Sequence, residues 1–146
     1  MNILELIQKA ITELNSDATV NIFTPARDEN AALDYSVAAV VIYPNWFGNN
    51  KISRGDEIYQ NVNYEIDFKV QDEFDTSDSD SAILYENMLT LANSVFFNIH
   101  SSFNEYIRDE MTWNFKPIWR ENNGTMTGVK VKLTIPERGK KVCNYE

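Results

Sequence analysis

The sequence has little of the chemistry that enzymes use near neutral pH. Its 146 residues include one histidine, His100, and one cysteine, Cys143. Catalysis by side chains needs a group that titrates near the operating pH or a nucleophile beside a base. The chain also has no GxSxG segment and no glycine-rich phosphate loop. We therefore expect a protein that is not an enzyme, with no catalytic residue, no cofactor and no metal site.

Other absences narrow the class of protein. No apolar run approaches the roughly 20 residues that cross a bilayer, which predicts no membrane-spanning segment. The first ten residues lack a basic region followed by an apolar stretch, which predicts no secretory signal. A single cysteine excludes an intramolecular disulfide and fits a reducing compartment. A net charge of −9 disfavours a sequence-independent grip on nucleic acid, because phosphate attraction scales with the cations that a protein presents.

Hydrophobic periodicity predicts one α+β domain over residues 1–136 and a C-terminal tail at 137–146 that has no periodicity. Helical spacing of apolar residues predicts a helix at 2–14 and a long amphipathic helix at 82–103. Alternating or β-branched runs predict strands at 18–24, 35–43, 58–74, 111–120 and 127–135. We expect an antiparallel or mixed sheet of about five strands, with the N-terminal helix and the long amphipathic helix packed on it.

Three local features refine the predicted sheet. The 35–43 run consists mainly of β-branched and small residues, which predicts a strand buried on both faces at the centre of the sheet. Pro117 restricts its strand to an edge or a bulge, because proline cannot donate a ladder hydrogen bond. The connection PNWFGNNKISRGDEI, at 44–58, is far longer than a tight hairpin needs, which predicts an ordered loop used for contact.

The spacer DTSDSDS, at 75–81, separates a predicted strand from the long helix. Its serine and aspartate oxygens are suited to capping that helix. A calcium loop is the alternative, because four oxygen-bearing residues occupy positions one, three, five and twelve of an EF-hand-like window. These are Asp75, Ser77, Ser79 and Glu86. The sixth position needs glycine and holds Asp80, and a strand precedes the window, so we expect the cap.

Charge is distributed unevenly along the chain. Residues 111–146 include seven basic and three acidic residues, a net charge of +4, which leaves −13 for the first 110 residues. Such asymmetry is typical of an oligomer in which the basic end of one subunit contacts the acidic region of the next. The alternative is that both regions are simply solvated.

Two groups of residues are candidates for contact with a neighbouring subunit or partner. Trp46 and Phe47, followed by Lys51 and Arg54, combine the aromatic and basic side chains that are enriched at interfaces. The alternative is that both rings fold back over the sheet edge as part of the core. The second group is basic and lies on the last strand and the tail. Its members are Lys130, Lys132, Arg138, Lys140 and Lys141.

The order of these elements resembles that of the tail-terminator and neck proteins of tailed bacteriophages: a helix, three strands with a long loop before the third, a long helix and a closing hairpin. The segment YEIDFKVQDEFDTSDSDSAILYENMLTLANSVFF carries the same resemblance. In it a strand ending in aspartates is followed by a serine and aspartate spacer and by a helix rich in apolar residues. The resemblance covers most of the chain and rests on patterns of residue type.

This resemblance implies a virion structural protein without catalysis. The subunit would assemble with itself as a homo-oligomeric ring at the head–tail junction, as a tail terminator, connector or neck component, and would contact adjoining connector or tail proteins. DNA would pass through the channel without specific binding, which suits an acidic protein because a basic lining would hold the duplex. The implied location is the virion, with assembly in the host cytoplasm and no membrane partner.

The competing expectation is a non-viral soluble α+β module that binds a ligand or a protein. It predicts a monomer or dimer with a ligand-sized pocket near Trp46. A Cys143–His100 pair is the enzymatic alternative, but it would require a catalytic group on a tail without periodicity.

Overall fold

A computed structural model describes residues 3–22, 36–52, 57–72, 77–121 and 125–140. In chain order the elements are α1 (Ile3–Glu13), β1 (Thr19–Ile22), β2 (Ala39–Ile42), β3 (Trp46–Ile52), β4 (Glu57–Gln71), α2 (Asp78–His100), α3 (Glu105–Arg108), β5 (Thr112–Arg120) and β6 (Met126–Lys140). Six strands form one mixed sheet in this part of the chain. The α+β class is therefore confirmed, with one strand more than the five expected.

The first helix, α1, forms because apolar residues recur every three or four positions along one side. Its buried residues are Ile3, Leu6, Ile7, Ala10 and Ile11. The helix ends at Glu13, and just beyond it Asn15 has a backbone φ of +52°, a left-handed conformation that asparagine tolerates after helix ends. The apolar side of α1 packs against α2 and β1.

The long helix, α2, begins where the spacer caps it. The Ser77 hydroxyl accepts a hydrogen bond from the backbone N–H of Asp80 at 3.2 Å, which confirms the capping interpretation for this serine. Farther along, the ring of Phe96 lies edge-on to Phe68 at 5.9 Å and stacks on Trp113 at 6.0 Å. These contacts hold α2 against β4 and β5. No described helix is both long enough and apolar enough to span a membrane.

The longest strands, β4 and β6, lie at the middle of the sheet. The strand order is β1-β2-β4-β6-β5, with β3 also beside β4, and only the β1–β2 pair is parallel. All four residues of β2 are buried, as expected for the 35–43 run. Its predicted central position is wrong, because β4 pairs with β6 along its full 15 residues and leaves β2 nearer the edge.

The predicted long loop before β4 is instead largely a strand. Trp46–Ile52 pairs antiparallel with β4, on the same edge of β4 as β2. Ile42 lies opposite Ile66 and Trp46 opposite Asn63, so four steps along the first chain match three along β4. This extra residue bends the edge and starts β3 in a new register. The remaining connection is four residues long, an ordinary hairpin length.

The last strand continues beyond the predicted end at Ile135. Its pairing with β4 runs through Pro136 as far as Lys140, which lies opposite Glu57. The boundary expected at residue 136 therefore falls inside β6. On its other side, β6 pairs with β5 as far as Thr134, and β5 is an edge strand of the sheet, as Pro117 predicted.

The two faces of the sheet follow from strict alternation along β4 and β6. Even-numbered residues of β4 and odd-numbered residues of β6 face the helices and form the core. Among them are Ile66, Phe68, Val129, Val131 and Leu133. The alternate residues of both strands, including Lys130 and Lys132, lie on the opposite side, which we call the open face.

The open face is partly buried along β4. Asn63, Asp67 and Lys69 are all buried there, although polar residues of an alternating strand usually face water. Polar partners make this burial tolerable: the Thr134 hydroxyl donates to the side-chain oxygen of Asn63 at 2.9 Å, and Lys69 Nζ lies 3.8 Å from Asp67.

A buried hydrogen-bond network joins the ends of β4, α2, β5 and β6. The Asp72 carboxylate accepts from the hydroxyls of Ser81 and Thr127, both at 2.7 Å. Arg120 Nε donates to the Ser81 hydroxyl at 2.9 Å, and the guanidinium also lies 3.3 Å from Asp78. Because Asp72, Ser81 and Thr127 are fully buried, the network fixes the N-terminus of α2 to the sheet.

β6 passes very close to β4 at Gly128. A Cβ at this position would overlap the carbonyl oxygen of Phe68 and lie 2.6 Å from the Cα of Lys69. Both atoms belong to the backbone of the central strand, so neither can move aside without disturbing the ladder. Glycine is required here because there is no space for a side chain.

We predict that Gly128→Ala lowers the free energy of unfolding by about 3 kcal/mol or more, the upper range of overpacking costs. Gly48→Ala is the matched control, since its Cβ would meet only the side-chain nitrogen of Asn63, at 3.1 Å. We expect the control to lose less than about 1 kcal/mol. Urea denaturation followed by circular dichroism measures both, and equal losses would contradict the close approach.

Candidate interaction surface

Trp46, the first residue of β3, lies on the open face. Its register opposite Asn63 brings it toward β6, where Lys132 Nζ lies 6.0 Å from the centroid of the Trp46 ring. A cation over an aromatic ring at this distance is attracted by the electrons of the ring face. The residue remains 43% exposed, so much of the indole is available to another molecule.

A cavity of about 350 Å³ opens beside this tryptophan. Its walls come from four neighbouring strands of the open face. They are formed by Trp46, Glu65, Asn114, Lys116, Lys130 and Lys132. The volume is at the lower end of the roughly 300–1,000 Å³ found for ligand sites. The structure thus brings together Trp46, Lys130 and Lys132, which the sequence had placed in two separate groups.

The cavity has an excess of positive charge. Lys130 Nζ lies 3.2 Å from Glu65 and 3.9 Å from Asp67, so its charge is partly balanced. Within the described part of the chain, Lys116 and Lys132 form no ion pair. Two ammonium groups in the walls are therefore left for an anionic partner.

Asp67 is one of the two carboxylates that partly balance the charge of Lys130. The Tyr43 hydroxyl donates a hydrogen bond to its carboxylate at 2.9 Å, and Lys130 Nζ lies 5.7 Å from the centroid of the Tyr43 ring. The other oxygen of Asp67 has no hydrogen-bond partner among the described residues, although Lys130 lies 3.9 Å from it. These contacts restrict where the Lys130 ammonium can sit at the cavity wall.

The pKa values of Asp67 and Lys130 both rise, but for different reasons. Burial raises the pKa of Asp67 above its ordinary value of 3.8, although Lys130, Lys69 and the Tyr43 hydroxyl oppose the change. Partial burial acts to lower the pKa of Lys130, but Asp67 and Glu65 outweigh it, and the pKa rises above 10.5. Desolvation dominates at the more deeply buried aspartate. Lys130 is consequently charged at neutral pH.

Among the other predicted interface residues, Phe47 does not share the open face with Trp46. Because neighbouring residues of a strand face opposite sides, Phe47 lies on the helix side of the sheet, opposite Val62. Its side chain is 55% exposed. The backbones of Lys51 and Arg138 both pair with Tyr59, and that of Lys140 pairs with Glu57. Arg54 and Lys141 lie outside the described residues.

Sequence reasoning missed three residues of the cavity. Glu65 belongs to the predicted strand at 58–74, but nothing in the sequence indicated that it would meet Lys130. Asn114 and Lys116 belong to β5, whose pairing opposite Lys132 and Lys130 depends on the length of the hairpin connection. Alternation predicts which residues of β5 share a face, but the register between strands is needed to place them beside this tryptophan.

The residues considered for chemistry have structural contacts where they are described. His100 Nε2 lies 3.2 Å from the Arg108 carbonyl oxygen, which accepts its hydrogen in the tautomer protonated at Nε2, and the ring meets Trp113 edge-on. Cys143 and Asp75 lie outside the described residues. Among those described, no group of three or more histidine, cysteine, aspartate or glutamate side chains could hold a metal ion.

No protein family matches the sequence. No curated protein matches it either.

The raised pKa of Asp67 leads to a pH-dependent prediction. The folded chain holds the Asp67 proton more tightly than the unfolded chain, so the associated stability is present below pH 3.8 and is lost as the pH rises through the folded-state pKa. Asp67→Asn cannot titrate there. We predict that the stability of this variant relative to wild type increases between about pH 3 and about pH 7. Urea denaturation at both pH values measures the difference in free energy of unfolding between the variant and wild type. A difference that stays constant or falls as the pH rises would contradict the effect of burial.

Proposed function

We propose that this protein is a virion structural subunit of a tailed bacteriophage that assembles as a homo-oligomeric ring at the head–tail junction. It would serve as a tail terminator, connector or neck component around the DNA channel and would catalyse no reaction. The resemblance described above supports this proposal, although the structure has the strand β3 within the long loop that this resemblance included. The observation that carries it is a separation of charge between the two sides of the sheet.

The helix side of the protein is acidic. Helices α1, α2 and α3 together contain six acidic residues and two basic ones. The open face instead presents the lysine-lined cavity beside Trp46. Two complementary surfaces on opposite sides of one subunit cannot reach each other within that subunit. They favour a head-to-tail contact between copies, which closes into a ring when the rotation between neighbours allows it.

Such an arrangement also suits the proposed channel. When lysines are engaged by the neighbouring subunit, they are not available to hold phosphate groups, and the assembled ring keeps the overall acidic character of the chain. DNA could then move through the ring without being retained by its wall.

We expect the purified protein to form one discrete homo-oligomer at micromolar concentration, with a mass that is a multiple of 16.9 kDa. Light scattering and native mass spectrometry measure the stoichiometry, and electron microscopy of stained particles shows whether a central channel is present. A strict monomer would contradict the proposal. If a ring forms, genes for portal and capsid proteins beside this gene would support its virion role, and a setting without virion genes would count against that role.

A second candidate function is a soluble binding module for small organic anions. The cavity beside Trp46 favours it, because a ligand-sized pocket at this position is what that alternative predicted. Three lysines and an exposed indole would suit a planar compound that carries a carboxylate or a phosphate group.

The two candidates differ in what the isolated chain binds. We expect benzoate and adenosine monophosphate to produce no saturable change in tryptophan fluorescence, because the proposed partner of the cavity is a protein surface. The Trp46→Phe variant identifies the contribution of this tryptophan, and Lys9→Gln is a control far from the cavity. A monomer that binds either compound with a Kd below about 0.1 mM, and loses that binding in Lys132→Gln, would favour the second candidate.

A further inference from the structure

We propose that the cavity beside Trp46 receives the N-terminal part of α2, residues 80–86, from a neighbouring copy of this chain. The inference rests on the proposed ring and deepens it, because it names the two surfaces that meet. It follows from the shape, polarity and spacing of those surfaces.

The donor surface is an exposed stripe near the start of α2. Ile83 is 56% exposed, and Asp80 and Glu86, each one turn away from it, are exposed acidic residues. Six residues separate the two carboxylates, or about 9 Å along the helix axis. Neither carboxylate forms an ion pair within the described part of the chain, whereas the nearby Asp78 is engaged by Arg120.

The acceptor surface carries the opposite charge. Lys132 and Lys116 line the cavity from β6 and β5, and the ring of Trp46 forms its apolar wall on the β3 side. Lys116 lies opposite Lys130, two residues from Lys132 along β6. Two residues of strand span about 7 Å, and neighbouring strands are about 4.8 Å apart, so the two lysine backbones are about 8 Å apart. This spacing is close to the axial separation of Asp80 and Glu86.

The fit explains why an apolar residue is exposed on each surface. Docking would place Ile83 against the indole of Trp46 and would remove both from water, while Asp80 and Glu86 approach the two lysines that lack ion pairs. Burial of apolar surface supplies affinity, and the flanking charges fix the orientation. A small anion would engage the lysines but would leave the exposed Ile83 unexplained.

The two surfaces belong to different sides of the sheet, so the contact is between copies and is heterologous. Each subunit would donate α2 to one neighbour and receive α2 from the other. Repetition of this contact produces a closed ring or an open filament, and it does not stop at a dimer.

A charge exchange tests the docking. The Lys116→Glu/Lys132→Glu variant and the Asp80→Lys/Glu86→Lys variant should each weaken self-association by about tenfold or more at low salt. All four substitutions in one chain should restore assembly, since the attraction is reversed in sign but retained. An equimolar mixture of the two double variants should also assemble, with the two kinds of subunit alternating. Sedimentation velocity and native mass spectrometry measure these outcomes.

Two controls separate lost docking from lost folding. Lys9→Glu combined with Glu105→Lys reverses exposed charges on α1 and α3, outside both surfaces, and should leave assembly unchanged. Circular dichroism and thermal unfolding should show each charge variant folded, and the restored four-substitution chain provides a second check because it contains every change.

The possible outcomes distinguish this inference from the proposed function. A wild-type chain that remains monomeric overturns both. A ring that forms unchanged in both double variants overturns the docking surface and leaves the ring proposal standing. Loss of assembly in the double variants without recovery in the four-substitution chain or in the mixture would also overturn the pairing of these two surfaces.

Discussion

The rest of the structure depends on the uninterrupted pairing of β4 with β6. Fifteen residues of each strand pair without a register shift. The same alternation along both strands therefore determines which side chains enter the core and which lie on the open face. The close approach at Gly128 fixes this register locally, because only glycine fits against the backbone of β4 there. The α2 helix, the β5 edge and the cavity beside Trp46 are all positioned relative to this ladder.

Local sequence signals predicted the features that depend on short spans of chain. Ser77 caps α2, and the hydrophobic alternation of β6 separates Val131 from Lys130, because capping and pleating involve only near neighbours. The strand β3 was missed because Gly48 and the asparagines that follow it favour a loop, whereas pairing with β4 overrides that preference. The central place assigned to β2 failed for a related reason, since strand order is a tertiary property.

The candidate surface was predictable in composition but not in arrangement. Trp46, Lys130 and Lys132 were identified from residue type and alternation, but their proximity requires the one-residue shift between β2 and β3. Lys116 joins them only through the register of β5. The burial of Asp67 was also not predictable, because a carboxylate in an alternating strand usually faces water, and here a tyrosine and two lysines accompany it into the sheet.

Pro117 has a consequence for how copies of this protein can meet. A strand edge with free N–H and C=O groups is a template on which another chain can add itself, and such growth has no natural end. Pro117 has no N–H to offer in the middle of β5, and β1, at the opposite edge, is only four residues long. The β5 and β1 edges are therefore poor templates for fibril-like addition, which favours contacts between folded surfaces over growth along these two edges.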